Sequence, residues 1–186
     1  MKKLFVAIVA LMAVSAVQAQ SLKDEILASV KNSEQLQELL GKQPKACGED
    51  EIDAYKDAIV AVANQAVENS KNLKAIYDKM EAGEDPTALL EDAKKLKDGV
   101  DKEGKDFKDA TTKAEGAAKK VADLGNEVAT ANALAKVKAA KKLKNSTSVL
   151  DYSKDCSKIL VKESVNQAGL TVKITNELTG LLKKKK

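Results

Sequence analysis

Glu51–Ala82 reads EIDAYKDAIVAVANQAVENSKNLKAIYDKMEA, and the spacing of its apolar residues decides the fold. Ile52, Ile59, Ala66, Leu73 and Met80 recur every seventh residue, and Tyr55, Val62, Asn69 and Ile76 form a second set at the same period. Such a repeat puts both sets on one stripe of a helix, and a stripe this long requires partner helices to cover it. Asn69 is the polar exception in the stripe. A polar residue at such a position sets the register of packed helices, or else marks a binding site.

The partners lie downstream. Gly83-Glu84-Asp85-Pro86 stops one helix and starts the next, with Asp85 as the cap and Pro86 at the first helical position. Leu89, Leu96, Glu103, Ala110, Ala117, Leu124 and Ala131 then hold one heptad position. Ala93, Val100, Phe107, Ala114, Val121, Val128 and Ala135 hold the other. Gly99, Gly104, Gly116 and Gly125 each cost about 1 kcal/mol relative to Ala in a helix, which predicts a bend or break near Gly99–Gly104. The small residues Ala110, Ala114 and Ala117 predict either close helix packing or a shallow groove, with Glu103 nearby at a core-type position.

Beyond Ala135 the stripe passes to Leu134, Val137 and Ala140, and the helix is predicted to end near Lys144. Asn145-Ser146-Thr147-Ser148 then forms a polar connection in which Ser148 caps a final helix. In that segment Val149, Tyr152, Cys156 and Ile159 make a stripe that Val161, Val165, Ala168 and Val172 continue. Residues 170–175 also alternate like a strand, but a lone strand has no partner, so helix is expected. Upstream, Ser21 with Asp24 resembles a capping box, and Leu22, Ile26, Val30, Leu36 and Leu40 describe a shorter helix ending at Gly41. The expected fold is all-α: an elongated antiparallel bundle of coiled-coil character, with three long helices and a shorter N-terminal one.

Residues 1–19 read as a cleaved secretory signal. Lys2 and Lys3 precede the apolar run Leu4–Val17 and the small-x-small site at Val17-Gln18-Ala19. The run is shorter than the roughly 20 apolar residues a membrane span needs. A periplasmic or secreted bacterial location follows, with residues 20–182 as one domain and 183–186 as a lysine tail.

Composition narrows the function. The chain has no His, no Trp and no Arg, so its positive charge is all lysine, and acidic residues nearly balance it once Lys2 and Lys3 are removed. Without His there is no imidazole base and no His-ligated metal. Without Arg, and with three Tyr and two Phe, there are few means of reading nucleic acid. Asp98, Asp101, Glu103, Gly104 and Asp106 resemble a calcium loop only superficially, because Gly104 as its sixth residue puts Gly99 and Ala110 at ligand positions. Asn145-Ser146-Thr147 is a glycosylation sequon in form and a turn by context.

Cys47 and Cys156 are the only cysteines, and an oxidising compartment predicts a disulfide between them, worth about 4 to 5 kcal/mol in the loop-entropy model. Lys183, Lys184, Lys185 and Lys186, next to Leu181-Leu182, are the candidate membrane-contact tail, weakly attracted to anionic lipid. No catalytic, cofactor or metal site is expected. The expected function is that of an exported, non-catalytic interaction or scaffold protein of the cell envelope, acting through a protein partner or self-association. The alternative is an amphipathic-helix protein that binds lipid or a membrane surface.

Overall fold

The computed structural model describes residues 22–184, with side chains through Lys183. The expected leader at residues 1–19, and Lys185 and Lys186 of the tail, lie outside the described residues. Four helices follow one another: α1 (Leu22–Leu40), α2 (Asp50–Glu81), α3 (Pro86–Thr130) and α4 (Ala133–Lys184). Short connections make neighbours antiparallel. α3 and α4 pack on each other and both pack on α2, while α1 lies against α2 and α4. The all-α bundle predicted from the heptads is the fold observed.

Local chemistry explains where the helices start and stop. α2 ends in a Schellman turn: Glu84 N–H donates to Lys79 O (3.1 Å), Gly83 N–H donates to Met80 O (3.1 Å), and Gly83 takes a left-handed φ of 75°. Asp85 then caps α3 by accepting from Thr87 N–H (3.3 Å), with Pro86 in the first turn. At the start of α2, Glu49 makes no side-chain cap. Asp53 instead turns its carboxylate back to accept from the backbone N–H groups of Cys47 (3.0 Å) and Gly48 (2.9 Å).

Two expectations about the second half of the chain fail. The break expected near Gly99–Gly104 is absent, as is the helix end expected near Lys144: α3 is helical through both glycines and ends at Thr130, with the break at Ala131-Asn132. There Ala131 is extended (ψ 146°), and the Asn132 carboxamide oxygen accepts from Ala135 N–H (3.0 Å), capping α4. The polar run Asn145–Ser148 is therefore helical interior, with Ser146 buried. The displaced turn also changes which residues face inward. Leu134 and Val137 point to solvent, 86% and 73% exposed, and the inward stripe is Ala139, Leu143, Ser146 and Leu150. Further on, the buried line is Leu160, Glu163, Gln167, Leu170, Ile174 and Leu178, whereas Val165 and Val172 are exposed. Residues 170–175 are helical.

The disulfide is not formed: Cys47 and Cys156 are both free thiols. The Cys47 thiol lies 3.5 Å from the Asp53 carboxylate as a hydrogen-bond donor, held at the start of α2. Cys156 is buried among Leu36, Ile52 and Leu160, and that burial pushes its thiol pKa up, disfavouring the thiolate that disulfide exchange requires.

Replacing Asn132 with Ala should cost about 1 kcal/mol, or roughly 2–4 °C in Tm, through loss of the α4 cap. Thermal unfolding followed by far-ultraviolet dichroism measures this, and an unchanged Tm would show that the turn does not depend on the cap.

Candidate functional site

The core is not one hydrophobic mass. One cluster gathers Leu36, Ile52, Ile59, Val62, Phe107, Leu124, Leu150 and Leu160, and the other gathers Ile26, Leu73, Ile76, Leu89, Leu96, Leu170 and Ile174. Between them every helix changes character at the same level. Ser29, Asn32 and Ser33 come from α1, Asn69 and Ser70 from α2, Glu103 from α3, and Glu163, Ser164 and Gln167 from α4. Glu103 and Glu163 are both 0% exposed.

Neutral donors hold the two carboxylates. Glu103 accepts from Asn69 Nδ2 (2.7 Å) and from Ser164 Oγ (2.9 Å). Glu163 accepts from Asn32 Nδ2 (2.8 Å), Gln167 Nε2 (2.8 Å) and the Ser29 hydroxyl, which also pairs with Ser70 Oγ (2.9 Å). Gln167 Nε2 donates as well to Ala66 O (2.7 Å), and its Oε1 has no hydrogen-bond partner. Gly99 belongs to the same layer: Gln65 Nε2 reaches its carbonyl (3.0 Å), and a Cβ there would stand 3.1 Å from Asn69 Oδ1. The glycine that sequence suggested as a helix breaker instead makes room for Asn69.

Among the described residues neither carboxylate has an ion-pair partner. Burial therefore dominates their ionisation. The Glu103 pKa rises from 4.5 to about 7, with hydrogen bonds from Asn69 and Ser164 opposing the rise and the nearby Glu163 charge adding to it. Glu163 is raised too, by burial, against the bonds from Ser29, Asn32 and Gln167. Glu49 shows the opposite case: it is pulled below the usual carboxylate value by its bond to Lys142, against burial and with help from Lys120.

At the other end of the chemistry is an arm. Glu49 pairs with Lys142 (2.5 Å) and Lys120 (3.1 Å), so α2 begins level with those residues. α3 continues ten residues further to Thr130, about 15 Å at helical rise, beside α4. Between Lys120 and Ser146 the only buried side chain is Leu124.

The sequence-predicted residues fall in different places. Asn69 and Glu103 meet in the polar layer, joined by residues that the periodicity did not single out: Glu163, Gln167, Ser29 and Ser70. Ala110 and Ala117 are fully buried, so the alanine zone is close packing rather than a groove. Asp98, Asp101 and Gly104 lie on the exposed side of a continuous helix, and among the described residues no cluster of three or more acids and cysteines could hold a metal ion. Lys183 is exposed at the end of α4 opposite the arm. No described helix is long and apolar enough to cross a membrane. Comparisons of the chain with protein-family models, with curated proteins and with solved structures find no match.

A carboxyl whose folded pKa is raised stays protonated in the native state while the unfolded chain ionises. Stability should therefore decline as pH rises from about 4.5 to about 7, by about 3 kcal/mol from Glu103, and stay low above that. Glu103→Gln removes this ionisation, so its advantage over wild type in urea unfolding should be larger at pH 8 than at pH 5. An equal difference at both values would mean that Glu103 does not titrate in this range.

Proposed function

We propose that the chain is an exported, non-catalytic interaction or scaffold protein of the bacterial cell envelope, in which a four-helix body presents a two-helix arm to a partner. The observation that carries this reading is the outward placement of Leu134 and Val137 on an arm where, among the described residues, both stay exposed. Isolated exposed apolar residues are common. These two, however, stand in a stretch with almost no buried side chain, so the chain keeps two helices extended there for little internal gain.

The groups able to do chemistry argue the same way. Glu103, whose pKa is raised to about 7, and Glu163, also raised, are sealed between hydrophobic clusters, and a general acid or base must reach its substrate. The polar layer is better suited to fixing which helix faces meet than to turnover. The lysine tail at the far end is a weaker contact element, because Glu81 and Glu177 line the surface beside Leu181.

Photo-crosslinking residues placed one at a time at 134, 137 and, on the body, 102 test this in the native cell. Adducts should form from 134 and 137 and be at least several-fold fewer from 102. Adducts mainly from 102, or none from the arm, would overturn it.

A further inference from the structure

We infer that the arm docks end-on against an anionic lipid surface. This rests on the arm being the interaction element and adds what it touches. The turn of the arm, residues 128–135, reads Val-Ala-Thr-Ala-Asn-Ala-Leu-Ala and contains no charged side chain. Folded as a hairpin, these residues are about four deep on each side, or about 6 Å at helical rise, which suits the roughly 5–10 Å that apolar faces sink into a bilayer interface. Leu134 and Val137 supply the bulk at this level.

Immediately behind the uncharged cap comes a collar of lysine. Lys136, Lys138, Lys141, Lys142 and Lys144 follow with no acidic residue among them, against Asp123 and Glu127 on the α3 side of the arm. At about 100° per residue these lysines spread over about 240° of α4, leaving free only the side that Ala139, Leu143 and Ser146 turn inward. A protein groove meeting one side of the arm would use some of them and strand the rest. A planar anionic surface met by the tip engages those nearest it, Lys136, Lys138 and Lys141, because each long stem can lay its ammonium toward the headgroups. Lys142 is partly occupied by Glu49 and Lys144 stands about 18 Å behind the turn at helical rise, which leaves Lys136, Lys138 and Lys141 for the surface.

Flotation of residues 20–186 with vesicles of equal parts phosphatidylcholine and phosphatidylglycerol, and with phosphatidylcholine alone, tests the proposal. Binding is expected to the anionic vesicles only, and to weaken with added salt. Paired Leu134→Asp and Val137→Asp should reduce it about tenfold, as should combined Lys136→Gln, Lys138→Gln and Lys141→Gln, with helical dichroism unchanged because all five side chains are exposed. Replacing Lys183 to Lys186 with Gln should leave it within about twofold. Absence of wild-type binding, or loss only in the tail variant, would overturn the inference. If arm positions crosslink to a protein in cells while the wild type ignores anionic vesicles, the lipid assignment fails and the interaction reading stands. If neither occurs, both fail.

Discussion

Two buried carboxyl groups that have no counter-ion among the described residues impose the constraint around which the bundle is built. Glu103, from α3, and Glu163, from α4, are held by amide and hydroxyl donors from α1, α2 and α4. A leucine finds a tolerable environment anywhere in a helical core, but a buried carboxyl loses several kcal/mol if its donors move away. Sliding any helix by one turn would bring an apolar side chain to the layer and leave a polar one facing hydrocarbon. The two hydrophobic clusters supply most of the stabilisation, and the layer between them specifies how the four helices align.

That division shows how the chain solves a problem common to alanine-rich bundles. Ala63, Ala66, Ala110 and Ala117 bring the helices close but offer no shape that distinguishes one register from the next. A few directional contacts at mid-length do what interlocking large side chains would do elsewhere. Glu49 repeats the device where the arm leaves the body, as one nearly buried carboxylate held by lysines from both α3 and α4. There the charge is paired, and its pKa moves down instead of up.

The heptads of α2 and α3 were legible because their apolar residues lie on one stripe, and Asn69 and Glu103 stood out as polar residues within it. α4 was not legible in the same way. Its buried line through Leu160, Leu170, Ile174 and Leu178 competes with Val161, Val165, Ala168 and Val172 about a third of the way round the helix, and periodicity alone does not choose between them. Glu163 and Gln167 were hidden with the true line. The α3–α4 turn was missed for a related reason: it contains neither Gly nor Pro, and the single Asn132 cap is a quieter signal than the Asn-Ser-Thr-Ser run that the helix absorbs. Moving that turn also moved Leu134 and Val137 from expected core to surface, so the arm lay beyond what the sequence stripe could reveal. The cysteine pairing rested on compartment chemistry, which says nothing about where two thiols sit in a fold.

Because the segment past Lys120 and before Ser146 contributes one buried side chain to the whole, its length is nearly decoupled from folding. Adding a heptad to each of its two strands would lengthen the reach by about 10 Å while leaving every donor around Glu103 and Glu163 in place. Descendants of this chain are therefore free to vary in span by whole repeats, and a protease that nicks the outer bend would still leave both fragments clasped by the remaining helices.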